Sequence, residues 1–370
     1  MSSVNILDTG IKNCKNVLKY SFGEGNFASL FDRIDQITGE SKATVVVFVD
    51  FFFVGSPLLS KFENYTNVEI VFVDTTNEPT TNDIDQHNNY LRQKHTAEAI
   101  ELIVAIGGGA TMDVAKATGN LLRNEGQASD YQGWDLVPNS GVYKIAIPTL
   151  SGTGSEATRT CVMTNKQTGL KLGMNSDHTV FDEVILDPEL LITIPKNQYF
   201  YTGMDAYIHC VESLNGSYRN AVGDAFSHQS IQLCRDVFLS EDMMSLENRG
   251  KMMVASYLGG CAIASSYVGL IHPFSAGLSV VLGIHHCEAN CIVMMAMEEF
   301  YPEEYAEFNE MVSKQGVEIE RGITSDLSDE QIEALYQATI IHEKPLTNAL
   351  GVGFKDILTR EKVKSIFKAM

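Results

Sequence analysis

In Gly203-Met204-Asp205-Ala206-Tyr207-Ile208-His209 a carboxylate and an imidazole stand four residues apart. On a helix that spacing puts Asp205 and His209 on one face, within reach of a single cation. An ordinary i,i+4 hydrogen bond would leave the same trace. His272 in Gly269-Leu270-Ile271-His272-Pro273 and His286 in Gly283-Ile284-His285-His286-Cys287 complete a candidate ligand set. A continuous helix would hold these two histidines roughly 21 Å apart, since fourteen residues rise at about 1.5 Å each, whereas co-ligands of one metal are near neighbours. A break must lie between them, and Pro273, Gly277 and Gly283 are the candidates. One carboxylate and three imidazoles suit a divalent Zn or Fe with an open position for a substrate oxygen. The competing arrangement is thiolate-rich, with Cys287 and Cys291 beside His286 and Cys210 beside His209. Their spacing is not a usual zinc-knuckle pattern, and buried free cysteines are common packing residues. His87, His95, His178, His228 and His342 have no clustered partners.

A second group of residues suits a nucleotide. Gly107-Gly108-Gly109-Ala110-Thr111-Met112-Asp113 follows the apolar run Leu102–Ile106 and opens a helical pattern from Thr111 to Leu122. Backbone N–H groups and the helix dipole then face any anion at the strand's edge. The spacing departs from Gly-x-Gly-x-x-Gly, and a plain turn requiring positive φ is the competing explanation. Asp50 ends another apolar run, where a carboxylate can accept from a ribose diol and repel a 2′-phosphate, favouring NAD over NADP. A solvated strand-end Asp is the alternative. Pro148-Thr149-Leu150-Ser151-Gly152-Thr153-Gly154-Ser155-Glu156 is a hydroxyl-rich loop suited to phosphate and carboxamide contacts.

The elements that must position these residues change character along the chain. Runs at Ala43–Asp50, Val68–Asp74, Leu102–Ile106 and Lys144–Ile147 read as buried parallel strands, with a helical pattern from Asp83 to Ala99 between the second and third. From Tyr199 onward helix formers dominate, and Ser325–Glu330 offers the N-cap region of a late helix. The expected architecture is an α/β dinucleotide-binding domain, residues 1–187, and an all-α domain, residues 188–370. A net charge of −20 leaves no basic face for nucleic acid. The longest apolar stretch, Ala43 to Gly55, is too short for a bilayer and contains Asp50, so no membrane role is expected. Met1–Asp8 lacks the pattern of a signal peptide, and seven sparse cysteines, Cys14 among them, argue for a reducing cytoplasm.

Taken in order from Tyr20 to Asn290, these residues resemble the iron-containing, or group III, alcohol dehydrogenases. The resemblance is carried by Tyr20–Gly25, Glu78-Pro79-Thr80, Gly107–Gly109 with Asp113 and Lys116, Pro148 through Glu156, Asp205 with His209, His272 and His286. It implies a dehydroquinate-synthase-like fold, a homodimer, NAD as cofactor, and one Fe2+ or Zn2+ held by Asp205, His209, His272 and His286. It also implies that Gly108, Gly109 and Asp113 form the pyrophosphate turn, and that Thr149, Thr153 and Lys171 line the nicotinamide and its ribose. Many members carry a further histidine four residues after the first late ligand; here that position is Ala276, which excludes a proton relay through it.

Within the family, Tyr131–Leu136, Arg159–Thr164 and Gly173–Asp177 look most like the sugar-acid branch that oxidises C8 of 3-deoxy-D-manno-octulosonate, whose aldehyde product feeds an 8-amino sugar of lipopolysaccharide. Arg159 would then pair the substrate carboxylate, unless it is a structural arginine bridging a loop to Asp or Glu. A group III dehydrogenase of a small diol or short-chain alcohol is the alternative substrate class. A cyclase or lyase on the same fold would need more Lys and Arg for a polyphosphorylated substrate. A non-catalytic nucleotide-binding protein is the alternative of another class.

Overall fold

The computed structural model describes Leu7, residues 15–39 and residues 43–370. Cys14 and all of Met1–Asp8 except Leu7, on which the export and redox expectations partly rest, lie outside the described residues. The chain forms two compact units. One holds Lys15–Leu150 and Ser155–Thr193; the other holds Ile194–Met370 together with the tetrapeptide Ser151–Gly154.

The first unit contains every strand among the described residues: β1 (Lys19–Phe22), β2 (Thr44–Asp50), β3 (Val68–Val73), β4 (Ile100–Gly107), β5 (Gly133–Trp134), β6 (Tyr143–Pro148), β7 (Thr160–Asn165), β8 (Leu170–Asn175) and β9 (Glu183–Leu186). Six form a parallel sheet in the order β1-β9-β6-β4-β2-β3. Its central strands are Val- and Ile-rich because both faces are covered, as a parallel sheet requires. Val45, Val47, Val49, Leu102, Val104 and Ile106 meet Leu30 and Ile34 of helix α1 (Ser29–Thr38) on one side. After a short α2 (Pro57–Ser60) and α3 (Thr81–Lys94), α4 (Gly109–Leu121) crosses the other side, where Gly119 lets it close on Ile103. A capping box between Thr80 and Asp83 starts α3.

Strand register decides what the sheet presents. Val49 pairs with Ile106, Ile106 with Ile147 and Gly107 with Pro148, so Asp50, Gly108 and Thr149 emerge at one carboxyl edge. A three-stranded sheet, β5-β8-β7, was not foreseen as strands. The expected boundary after Asp187 also moves, since the first unit continues to Thr193. Asp187 explains the shift: its carboxylate caps the 3-10 turn Pro188–Leu191 through Glu189 N and also accepts from Gly25 N and Phe27 N, tying the unit's end to its beginning.

The second unit is helical: α5 (Lys196–Asn215), α6 (Ala221–Phe238), α7 (Leu246–Ser266), α8 (Ile271–Leu282), α9 (His286–Met294), α10 (Pro302–Gln315), α11 (Asp329–Ile340), α12 (Glu343–Leu350), α13 (Phe354–Ile357) and α14 (Arg360–Lys368). Ser328 and Gln331 form the capping box of α11. Among the described residues no single helix is long and apolar enough to cross a membrane. The pair α7 and α8 reaches that composition only together, across a bend of 106°. Ser151–Gly154 joins this unit through glycine: a Cβ on Gly152 would land on the Thr202 carbonyl oxygen, and one on Gly154 would lie 2.6 Å from Gly260 Cα.

Gly152→Ala should therefore lower stability by about 3 kcal/mol or more through overpacking against backbone. Gly169→Ala, at φ +69 with nothing within 4 Å of its Cβ position, should cost only the left-handed penalty of about 1–2 kcal/mol. Urea unfolding of both variants tests this, and equal losses would contradict the packing argument.

Candidate metal centre and nucleotide edge

Helix α5 sets Asp205, His209 and Glu212 at i, i+4 and i+7, one face of the helix. His272 enters from the first turn of α8, and His286 is the first residue of α9. The required break between them is Gly283, left-handed at φ 72, followed by His285 in an extended conformation. Pro273 sits harmlessly in the first turn of α8. Gly277 serves packing, its Cβ position lying 3.0 Å from Thr339 Oγ1.

The imidazoles converge on one carboxylate. Asp205 Oδ1 lies 3.4 Å from Nε2 of both His209 and His272, and Asp205 Oδ2 lies 3.7 Å from Nε2 of His286. Asp205, His272 and His286 offer ligand atoms all within 4.8 Å of one another. His209 flanks them with its ring stacked on His272, centroids 4.7 Å apart. Asn290, one turn after His286, donates from Nδ2 to Asp205 Oδ1 at 2.7 Å. Burial works against the Asp205 charge, yet His209, His286 and His272 hold its carboxyl below the usual range. Burial pushes His209 down to about 4, which keeps it neutral with a lone pair to give. Burial lowers His272 as well, but the carboxylates of Glu212 and Asp205 prevail and raise it to about 10.

Sequence reasoning missed Glu212 and Asn290. Glu212 is fully buried, and its Oε2 lies 2.5 Å from His272 Nδ1. The signal was present, since Glu212 continues the Asp205 and His209 stripe by one more turn, but a single buried Glu is not distinctive without its partner.

The donor set passes a test of fit for a divalent cation. It offers one anionic oxygen and three imidazoles in a nearly dry interior, and the buried Nδ1 of His209 has no hydrogen-bond partner among the described residues. That chemistry suits Fe2+ and Zn2+ alike. The thiols do not form a rival site. Cys287 Sγ donates to Asp205 Oδ2 at 3.7 Å, and Cys291 Sγ faces the Tyr201 carbonyl at 4.0 Å. Burial raises the thiols of Cys291 and Cys210, the latter to about 12, so both stay protonated.

The nucleotide residues distribute less evenly. Gly108 is the N-cap of α4 and makes no side-chain cap, which leaves the first-turn amides at Gly109 and beyond available to an anion. None of Gly107, Gly108 and Gly109 has positive φ. Gly107 and Gly108 are needed for close approach, because Cβ atoms there would lie 2.5 Å from Thr111 Oγ1 and 2.8 Å from Leu150 Cδ1. The buried Thr111 Oγ1 has no partner among the described residues, so the turn fits a phosphate. Thr149 is anchored by its amide to the Gly107 carbonyl at 3.0 Å. Asp50 caps a 3-10 turn through Phe52 N at 2.9 Å and accepts from Thr75 Oγ1 at 3.2 Å. Burial raises the Asp50 carboxyl.

Three expected residues have other neighbours. Asp113 accepts from Ser155 Oγ at 2.7 Å and Val162 N at 2.9 Å, joining α4 to β7, and burial raises it to about 6. Lys171, on β8, lies 3.2 Å from Glu78 Oε2. Thr153 is a residue of the helical unit and Thr149 one of the α/β unit. Arg159 is paired within the protein: its Nε and Nη2 each donate at 2.6 Å, to Asp177 Oδ1 and Asp135 Oδ1, so these two donors brace two loops.

Comparison with known proteins places matches across both units. The family model "Iron-containing alcohol dehydrogenase" matches residues 18–188, and "Fe-containing alcohol dehydrogenase family, C-terminal" matches residues 199–366. A sulfoacetaldehyde reductase of Bilophila wadsworthia is 36% identical over 190 residues, 50% of this chain and 49% of that protein. An NAD-dependent methanol dehydrogenase of Bacillus methanolicus is 34% identical over 202 residues, 53% and 52% of the two chains. The matched stretch thus spans about half the length of these relatives. A solved 1,3-propanediol oxidoreductase superposes with a TM-score of 0.81 at 22% identity, covering 96% of this chain and 99% of its own.

Arg159→Ala should lower stability by about 1–2 kcal/mol, the half-exposed aspartates tempering the loss. It should leave KM for acidic and neutral substrates in an unchanged ratio. A selective rise in KM for a sugar acid, with stability intact, would restore the substrate role.

Proposed function

This chain belongs to the iron-containing alcohol dehydrogenase family, and from that premise we propose that it is an NAD-dependent, metal-dependent oxidoreductase interconverting a primary alcohol and its aldehyde. The observation that carries the reading is the convergence of His272 and His286, both partly exposed, on the buried Asp205, flanked by the buried His209. Asp205, His209, His272 and His286 would hold the metal, and the α4 turn with Asp50 and Thr149 would hold the dinucleotide. When bound, the cation supplies Lewis acidity that lowers the pKa of a substrate hydroxyl, and the nicotinamide supplies the hydride acceptor.

The chain's own residues prepare this chemistry. Neutral His209 and anionic Asp205 present lone pairs at neutral pH. Asn290 steadies Asp205 Oδ1. First-turn amides of α4 complement a pyrophosphate, and Asp50 accepts from a ribose diol while repelling a 2′-phosphate. Ala276 brings no proton carrier one turn beyond His272.

The substrate reading favoured here is a small primary alcohol or diol and its aldehyde. The sugar-acid reading, with its place in lipopolysaccharide synthesis, is the second one; it rests on Tyr131–Leu136, Arg159–Thr164 and Gly173–Asp177, and the pairing of Arg159 with Asp135 and Asp177 favours the small alcohol over it. A homodimer in a reducing cytoplasm completes the proposal; the described cysteines, all free and buried, support the reducing compartment.

His272→Ala and exhaustive chelation should each abolish NADH production while leaving NAD binding within about threefold, because the nucleotide residues lie on another unit. Full activity in metal-free protein would reject the reading. A panel of methanol, propanediol, sulfoacetaldehyde and sugar acids, read by NADH, assigns the substrate class. Asp50→Gly should reduce the preference for NAD over NADP at least severalfold in kcat/KM; an unchanged ratio would remove Asp50 from the ribose site.

A further inference from the structure

Helix α8 begins without a cap of its own. Its N-cap is Leu270, which makes no side-chain hydrogen bond, yet the helix starts in the buried interior where orphan amides are costly. A residue from another helix fills the gap. Glu212 Oε1 accepts from Ile271 N at 2.5 Å and His272 N at 3.3 Å, while Oε2 faces His272 Nδ1. One carboxylate therefore grips both the backbone and the ring of a single histidine. Gly269 makes room, since a Cβ there would lie 3.2 Å from Glu212 Cβ and from Tyr301 Oη.

We propose that Glu212 is a positioning residue that holds the Nδ1–H of His272, so that Nε2 is the ring atom turned toward Asp205 and His286 and the one that gives its lone pair when a cation displaces its proton. The ring is held at both ends: Nδ1 on Glu212, Nε2 3.4 Å from Asp205 Oδ1. A carboxylate behind a ligating imidazole orients the ring and raises its basicity, an arrangement whose loss typically weakens metal affinity. This role rests on the metal reading above and assigns no metal contact to Glu212 itself.

Glu212→Gln separates the two grips. The glutamine carbonyl can still accept from the backbone amides of Ile271 and His272, but its amide group can only donate toward Nδ1, which favours the proton on Nε2 and blocks that lone pair. Metal-free wild type and Glu212→Gln would be titrated with Co2+ against a competing chelator, and their near-ultraviolet circular dichroism compared without metal at a temperature where both are folded. The expected result is about 10–100-fold weaker Co2+ binding with the metal-free native signal unchanged. Equal affinity in the two proteins would overturn the positioning role and leave the metal reading intact. Weaker binding accompanied by loss of the metal-free native signal would overturn it in favour of a merely structural cap. Wild type that binds no Co2+ would overturn the metal reading and this role with it. Should the variant not fold, 15N spectra of the wild-type Zn2+-loaded protein decide. Coordination of His272 through Nε2 with a proton on Nδ1 supports the role, and coordination through Nδ1 overturns it.

Discussion

A carboxylate with no exposed surface organises the helical unit. Removing Asp205 from water costs several kcal/mol unless partners with good geometry surround it, and those partners arrive from three directions. His209 comes from its own helix, His272 from the start of α8, and His286 with Asn290 from the start of α9. The entry points of α8 and α9 are thereby set by electrostatics as much as by apolar packing. The left-handed Gly283 allows the chain to turn back, so that two histidines fourteen positions apart face one oxygen pair. Glu212 repeats the pattern one turn along α5, a second buried anion answered by the same His272 and by helix amides.

The α/β unit obeys a different constraint, that of register. Parallel strands whose ends align put unlike residues side by side at one edge, and Asp50, the glycine turn and Thr149 owe their proximity to backbone pairing alone. Asp113 and Lys116 have partners within the same unit. Lys116 is wholly buried and donates to the carbonyls of Thr158 and Thr160, while Asp113 receives Ser155 and Val162. These two charges on α4 hold the segment that follows the hydroxyl-rich loop, so a motif that reads as nucleotide recognition is in part an internal brace.

What could be read in advance followed periodicity and local chemistry. Strands β2, β3, β4 and β6 announced themselves by apolar runs rich in Val and Ile, although β3 lies at the sheet edge and is only partly buried, and the i,i+4 pair of Asp205 and His209 by spacing on a helix. Strands β1 and β9 are only four residues each and carry too little pattern. The hairpin of β7 and β8 mixes polar and apolar residues without a clean period of two, in a stretch that also resembled substrate-binding motifs. Arg159 was ambiguous for a physical reason: a guanidinium suits a ligand carboxylate and a protein carboxylate equally, and the deciding aspartates stand 24 and 18 positions away in the chain. Glu212 was hidden because its meaning depends on His272, sixty positions on.

The tetrapeptide Ser151–Gly154 bears on how such a chain can be assembled in evolution. It is flanked on both sides by residues of the α/β unit yet folds with the helical one, its glycines seated against the backbone of α5 and α7. The helical half is therefore not a contiguous stretch that recombination could transplant whole. Exchanging residues 194–370 for those of a relative would put a borrowed pair of helices under a resident tetrapeptide, at contacts with no side chain to yield. Elsewhere the chain is free to diverge, but the tetrapeptide and the stretches of α5 and α7 that it touches are bound to change together.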